Sequence, residues 1–282
     1  MEKTSGNLKE WLIPFAFVFC AGWVIWHGPA YILYFIPHEG ESITTQLSEL
    51  HARNDVLPGL PALFGGLMDP VDWITLLLLP IIFWFGMRNI VIAQMEFEKP
   101  SSFDHFALFI GRITMILIMS MTLIMLYEVF LRYVIEAPTL WANELTLWIA
   151  GFVFMLSGIY AMQQRCHIRI FIIYDILPRW AQHVCDVLWV SFLCLFAFLF
   201  VYGSYKQIFV VKFYRWETFG TAFDPPLPAT IQPMILITIC LITLQAVVNL
   251  IADWNKDPSQ LIEKDAIDQE ELEAIKKSVG AS

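Results

Sequence analysis

Six mainly apolar blocks, each about as long as the roughly 30 Å hydrocarbon core of a bilayer requires of a helix, constrain this chain more than any other feature. They run over about 11–36, 73–95, 106–134, 141–163, 182–205 and 229–251 of its 282 residues. Lipid offers no hydrogen-bond partner, so each block must satisfy its own backbone, and a helix does this within one segment. The blocks are apolar on every face, without the polar alternation of a membrane barrel. The expected fold is an all-α integral membrane protein of about six transmembrane helices. Many of the 11 Trp residues sit near block ends, as in an interfacial belt. The net charge of −9 gives no footprint for nucleic acid, and the expected surroundings are a phospholipid bilayer.

Lys and Arg placement sets the direction. An alternating path gathers Lys3, Lys9, Arg88, Lys99, Arg112, Arg165, Arg169, Arg179, Lys256, Lys264, Lys276 and Lys277 on one side, and Arg53, Arg132, Lys206, Lys212 and Arg215 on the other. Both termini are therefore expected in the cytoplasm. Lys206, Lys212 and Arg215 form a basic cluster that lands outside. Either the fifth helix projects beyond the bilayer or this loop meets an acidic partner. The first apolar block is too long for a signal peptide and no small-residue cleavage pattern follows it.

Pro100 divides the chain. Residues 1–100 are expected to form an extension with two spans and an outer loop, with an amphipathic helix over Ser42–Arg53 and a Pro/Gly-rich apolar segment over Leu57–Pro70. Residues 101–255 form a four-span unit, with Ser102 or Asp104 available to cap its first helix. Residues 256–282 form an acidic cytoplasmic tail. Pro233 is expected to mark a late start of the last helix.

The ionisable residues cluster at helix ends. Glu128 and Arg132 stand four apart in the favourable order for a helical ion pair, and each has a short path to the interface. Pairing accounts for them before any transport role does, although intramembrane charge always raises one. Glu144 lies in the first turn of the fourth span, where the helix dipole favours a carboxylate, and Trp141 is placed as an interfacial anchor. Arg132 and Glu144 are within reach of each other across the turn at Pro138, which would staple the third span to the fourth. His167 and Arg169 follow the inner end of the fourth span, as a positive-inside flank or as a contact to a partner at the cytoplasmic face. Ser157, Gly158 and Ala161 give a small-residue spacing suited to close helix approach.

No catalytic, metal or cofactor site is read. The five cysteines include no CxxC pair. There is no Ser-His-Asp arrangement, phosphate-cradling loop or HExxH motif. Haem would need inward-facing axial ligands, whereas His27, His105, His167 and His183 lie near span ends. A membrane anchor for an electron-transfer complex remains the alternative function.

From about Phe103 to Asp253 the order of motifs is Arg132-Tyr133, then Trp141-Ala142-Asn143-Glu144, then His167-Ile168-Arg169, then Leu177-Pro178. It resembles the small membrane subunit of tripartite ATP-independent periplasmic (TRAP) transporters. The family pattern has an acid where Asn143 stands, a glycine at Arg165 and an aspartate at Phe171. The resemblance implies a non-catalytic subunit without cofactors in the bacterial inner membrane. Its partners would be a large membrane subunit that carries the substrate and sodium sites, and a periplasmic substrate-binding protein that delivers an organic anion. Glu128, Arg132, Tyr133, Trp141, Glu144, His167 and Arg169 would then serve membrane anchoring or subunit contact, with Lys206, Lys212 and Arg215 as periplasmic contacts.

Overall fold

A computed structural model describes residues 8–35, 69–90, 102–164, 177–214 and 216–254. Its elements are α1 (Leu8–Trp26), α2 (Gly28–Phe35), α3 (Pro70–Arg88), α4 (Ser102–Phe130), α5 (Ala142–Gln163), α6 (Arg179–Tyr205) and α7 (Leu227–Asp253). Two of them run on as π-helical turns, α4 through Leu131–Ile135 and α6 through Lys206–Phe213. Among the described residues, five helices are long and apolar enough to cross a membrane, with α1 a shorter sixth. The all-α membrane fold is therefore as the apolar blocks dictate. The loop segments at 42–53 and 57–68, the boundary at Pro100, His167, Arg169, Arg215 and the tail 256–282 lie outside the described residues.

Two expected boundaries are corrected. The first block is not one helix over 11–36. It breaks at His27, because Pro29 has no N–H to give the Ile25 carbonyl and its ring crowds that turn. The last helix does not wait for Pro233. It starts at Leu227, with Pro228 in the first turn where the missing N–H costs nothing, and Pro233 lies inside it, buried.

Neighbouring helices follow the spatial order α3, α1, α4, α5, α7, α6. Helices α1 and α3 thus pack on the rest of the described bundle mainly where α1 meets α4. Their shared core joins Phe17 and Phe83 to Phe109, with ring centroids 5.2–5.8 Å apart. Apolar contact alone discriminates little between a neighbouring helix and lipid, so small residues and polar bonds must decide which faces meet. Side chains of the facing helix fill the space beside Gly86, Gly111, Gly151 and Gly158: Phe109, Tyr160, Ile231 and Ile242 respectively. On α5 the packing stripe is therefore Gly151 and Gly158. Ala161, expected in that stripe, is exposed, and the Ser157 hydroxyl bonds the Phe154 carbonyl of its own helix.

Polar bonds fix both ends of the bundle. At the end where α4 finishes and α5 begins, Asp72 in the first turn of α3 is 2% exposed. Its Oδ2 accepts the Asp69 N–H at 2.9 Å, half of a capping box, and its Oδ1 accepts the Trp23 indole N–H at 2.7 Å. Tyr31 of α2 donates to the Asp72 carbonyl at 2.8 Å. At the opposite end the buried Arg112 guanidinium of α4 lies 3.5 Å from the Glu10 carboxylate of α1. There the Gln245 amide of α7 donates to Asp104 and to Asn249, both at 3.0 Å, and Asn249 donates to the Met162 carbonyl of α5 at 2.7 Å. Asp104 thus serves as a tertiary acceptor as well as lying in the first turn of α4.

Candidate functional site

The densest polar arrangement lies at the end bearing the α4–α5 turn. Helix α4 loosens into its π-helical turn after Phe130 and stops at Glu136, whose left-handed backbone (φ 58°) lets the Ala137 N–H close on the Leu131 carbonyl at 3.1 Å. Pro138 then leads into Thr139. Glu128, about two turns before that stop, is 2% exposed and holds this turn from both oxygens. Oε1 accepts Arg132 Nη2 at 2.7 Å and Nε at 3.2 Å. Oε2 accepts the Thr139 N–H at 3.1 Å and the Thr139 hydroxyl. One carboxylate thus ties the last turn of α4 to the chain entering α5. Arg132, more than two-fifths exposed, extends from the buried acid towards the surface. Tyr133 is 77% exposed beside it. Trp141, about a third exposed, stacks on Tyr127 with centroids 6.3 Å apart.

Arg132 and Glu144 do not form the expected staple. Arg132 is taken by Glu128 on its own helix face, and Glu144 turns to the loop before α7. Glu144 Oε2 accepts the Thr221 hydroxyl at 2.6 Å and the Phe223 and Asp224 N–H groups at 3.2 and 3.3 Å. The helix start that favours an acid therefore aims it at a loop nearly eighty residues later. A third link follows inward, where the Trp148 indole N–H donates to Thr230 Oγ1 at 2.8 Å.

The loop itself is bent through three left-handed residues, Trp216 (φ 48°), Gly220 (φ 79°) and Asp224 (φ 55°). Only glycine adopts that region freely, and a strained non-glycine residue persists when its surroundings over-determine it. The surroundings here are specific. Phe219 N–H bonds the Pro225 carbonyl at 3.2 Å, Ala229 N–H bonds the Glu217 carbonyl at 3.3 Å, and Asp224 Oδ1 caps the Gly220 N–H.

The basic cluster divides. Lys206 is exposed, and Lys212 pairs with Glu217 at the foot of the loop. Both lie on the π-helical continuation of α6, whose apolar helix spans 35 residues, Arg179–Phe213. A helix that long reaches about 50 Å, more than a core of about 30 Å requires.

Sequence reasoning located Glu128 with its partner Arg132, and Glu144, but not Thr139 or the 221–224 loop. It passed over Asp72, although Asp69-Pro70-Val71-Asp72 has the spacing of a capped helix start. It also passed over Gln245 and Asn249, whose four-residue spacing on an apolar helix signals polar interhelix bonding.

Residues 121–256 match the model of the family described as tripartite ATP-independent periplasmic transporters, DctQ component. The match starts in the second half of α4 and covers the α4–α5 turn, Glu144, the loop and α7. Comparison with curated proteins and with solved structures found no match to this chain.

Proposed function

We propose that this chain, which belongs through residues 121–256 to the DctQ components of TRAP transporters, is the non-catalytic small membrane subunit that scaffolds a large substrate-translocating subunit. The process served is sodium-coupled uptake of an organic anion delivered by a periplasmic binding protein. The observation that best supports a scaffolding role is how its end-of-span carboxylates are used. Glu128, Glu144 and Asp72 are engaged in holding helix ends and turns of their own chain. Groups spent this way fix seating, whereas a substrate path needs polar groups free to meet cargo near the bilayer midplane.

In this reading both termini face the cytoplasm of a bacterial inner membrane. The α4–α5 turn and the 216–226 loop then lie on the periplasmic side. Residues before Pro100 form an added two-span extension that widens the stationary body against which the large subunit moves. Arg132, Tyr133 and Trp141 anchor that side in the interface and face the large subunit, while Glu144 holds the adjoining loop. Lys206, Lys212 and Arg215 contact the binding protein. His167 and Arg169 form the contact at the cytoplasmic face.

A pull-down of the tagged chain from native membranes tests the assignment. The expected catch is one large multi-span membrane protein, without a haem spectrum. Capture of redox-enzyme subunits, with a visible haem spectrum, would replace this reading with the electron-transfer anchor. Topology has its own test, a reporter fused at Arg215. Activity is expected only from a reporter that works outside the cytoplasm, and a cytoplasmic signal would invert the assignment.

A further inference from the structure

The loop 216–226 lies inside the family match, but part of what holds it comes from helices that precede the match. Trp26, the last residue of α1, stacks on Phe223 with centroids 5.8 Å apart and lies 6.3 Å from the Trp148 ring. Gly28 opens α2 against the Trp216 indole. A Cβ added there would fall 2.1 Å from Trp216 Cη2, far inside contact distance. Ile32, one turn further on, is buried in one cluster with Trp216 and Ala229. Trp216 and Phe223 thus each rest on the extension, at either end of a segment whose left-handed residues need outside support. The extension is itself held together there, through Trp23 and Tyr31 on Asp72.

We propose that Trp26 and Gly28 are positioning residues, and that the N-terminal helices act through them as a brace holding the 216–226 loop in its bent conformation. Glu144 grips the loop from the α5 side and the extension closes on it from the other. The exposed tip, Phe219 to Ala222, is thereby presented in one fixed arrangement. This is a property of the chain by itself and does not depend on the transport assignment.

Hydrogen exchange on the full chain in lipid nanodiscs tests it, read on peptides covering 217–224. Gly28→Ala is the decisive variant. It adds one methyl where the Trp216 ring sits, and the double variant below separates that clash from the cost of a Cβ before Pro29. Exchange in 217–224 should accelerate about tenfold or more, with the α4 and α5 amides unchanged. Gly22→Ala, whose added Cβ meets nothing within 4 Å, should leave the loop as it was. Adding Trp216→Phe to Gly28→Ala makes room again and should restore slow exchange. If Gly28→Ala cannot be purified folded, Trp26→Leu, which removes the ring stacked on Phe223 without adding bulk, must give the same acceleration. Unchanged loop exchange in Gly28→Ala, equal acceleration in Gly22→Ala, or no recovery in the double variant would overturn the brace.

Discussion

Asp72→Ala should lower the stability of the detergent-purified chain by about 3 kcal/mol, from the loss of two hydrogen bonds to a buried carboxylate at once. In a chain of this size that is a fall in melting temperature of about 6 °C. The side chain is almost wholly buried and takes the Trp23 indole N–H on one oxygen and the Asp69 backbone N–H on the other. Removing it strands both donors where water cannot replace the carboxylate, and an unmet buried donor costs more than the bond was worth. The His27 ring, 3.8 Å from Oδ1 and stacked on Trp23 at 4.5 Å, loses the same neighbour. Asp72→Asn should recover about half of the loss. Its amide oxygen can still accept from Trp23, but its NH2 group faces the Asp69 donor. The measurement is a thermal melt followed by tryptophan fluorescence. A melting point for Asp72→Ala equal to the parent's would show that α1 and α3 are joined by their apolar faces alone.

Gly111→Leu should be comparably damaging for the opposite reason. Gly111 lies where α4 meets α5, and a Cβ there would come within 2.5 Å of Tyr160 Cδ2 and 3.1 Å of its Cγ. Those atoms lie near the base of the ring, so the whole side chain or the helix must move. Overpacking of this kind costs about 3 kcal/mol at the upper end of its usual range. Nor does lipid return a hydrophobic gain, because an apolar residue is as well solvated by acyl chains as by protein. The control is Gly203→Leu, at an exposed position with nothing within 4 Å of the added Cβ, which should melt like the parent. Equal melting points for both variants would mean that the α4–α5 interface is not close-packed.

Helices were legible in the sequence because one requirement, internal satisfaction of the backbone in lipid, acts on every span and marks it by length. Helix ends were less so. The break at His27 follows from Pro29, but a single proline within an apolar block also permits a mere kink, as Pro14 inside α1 and Pro80 inside α3 illustrate. The Glu128–Arg132 pair could be read because both partners share one helix face. Glu144 was recognised as a first-turn acid, but its partners at 221–224 are set by tertiary folding, which no local spacing encodes. The same limit hid Gly151, whose importance comes from Ile231 on another helix, and hid the partner of Gly158, Ile242, although Gly158 itself was read as a packing residue. The family resemblance, carried by motifs from Arg132 to Pro178, anticipated the match over 121–256, whereas the contacts of Trp26 and Gly28 lie before that match and owe nothing to it.

The central claim is that this chain seats and steadies a transporter while another polypeptide handles the cargo. Reconstitution tests it most directly, by measuring sodium-driven uptake of the solute carried by the co-purified binding protein. Vesicles holding this chain, the large membrane subunit and added binding protein should accumulate solute, and vesicles holding this chain alone should match protein-free vesicles. Uptake by this chain alone, above the protein-free background, would contradict the account.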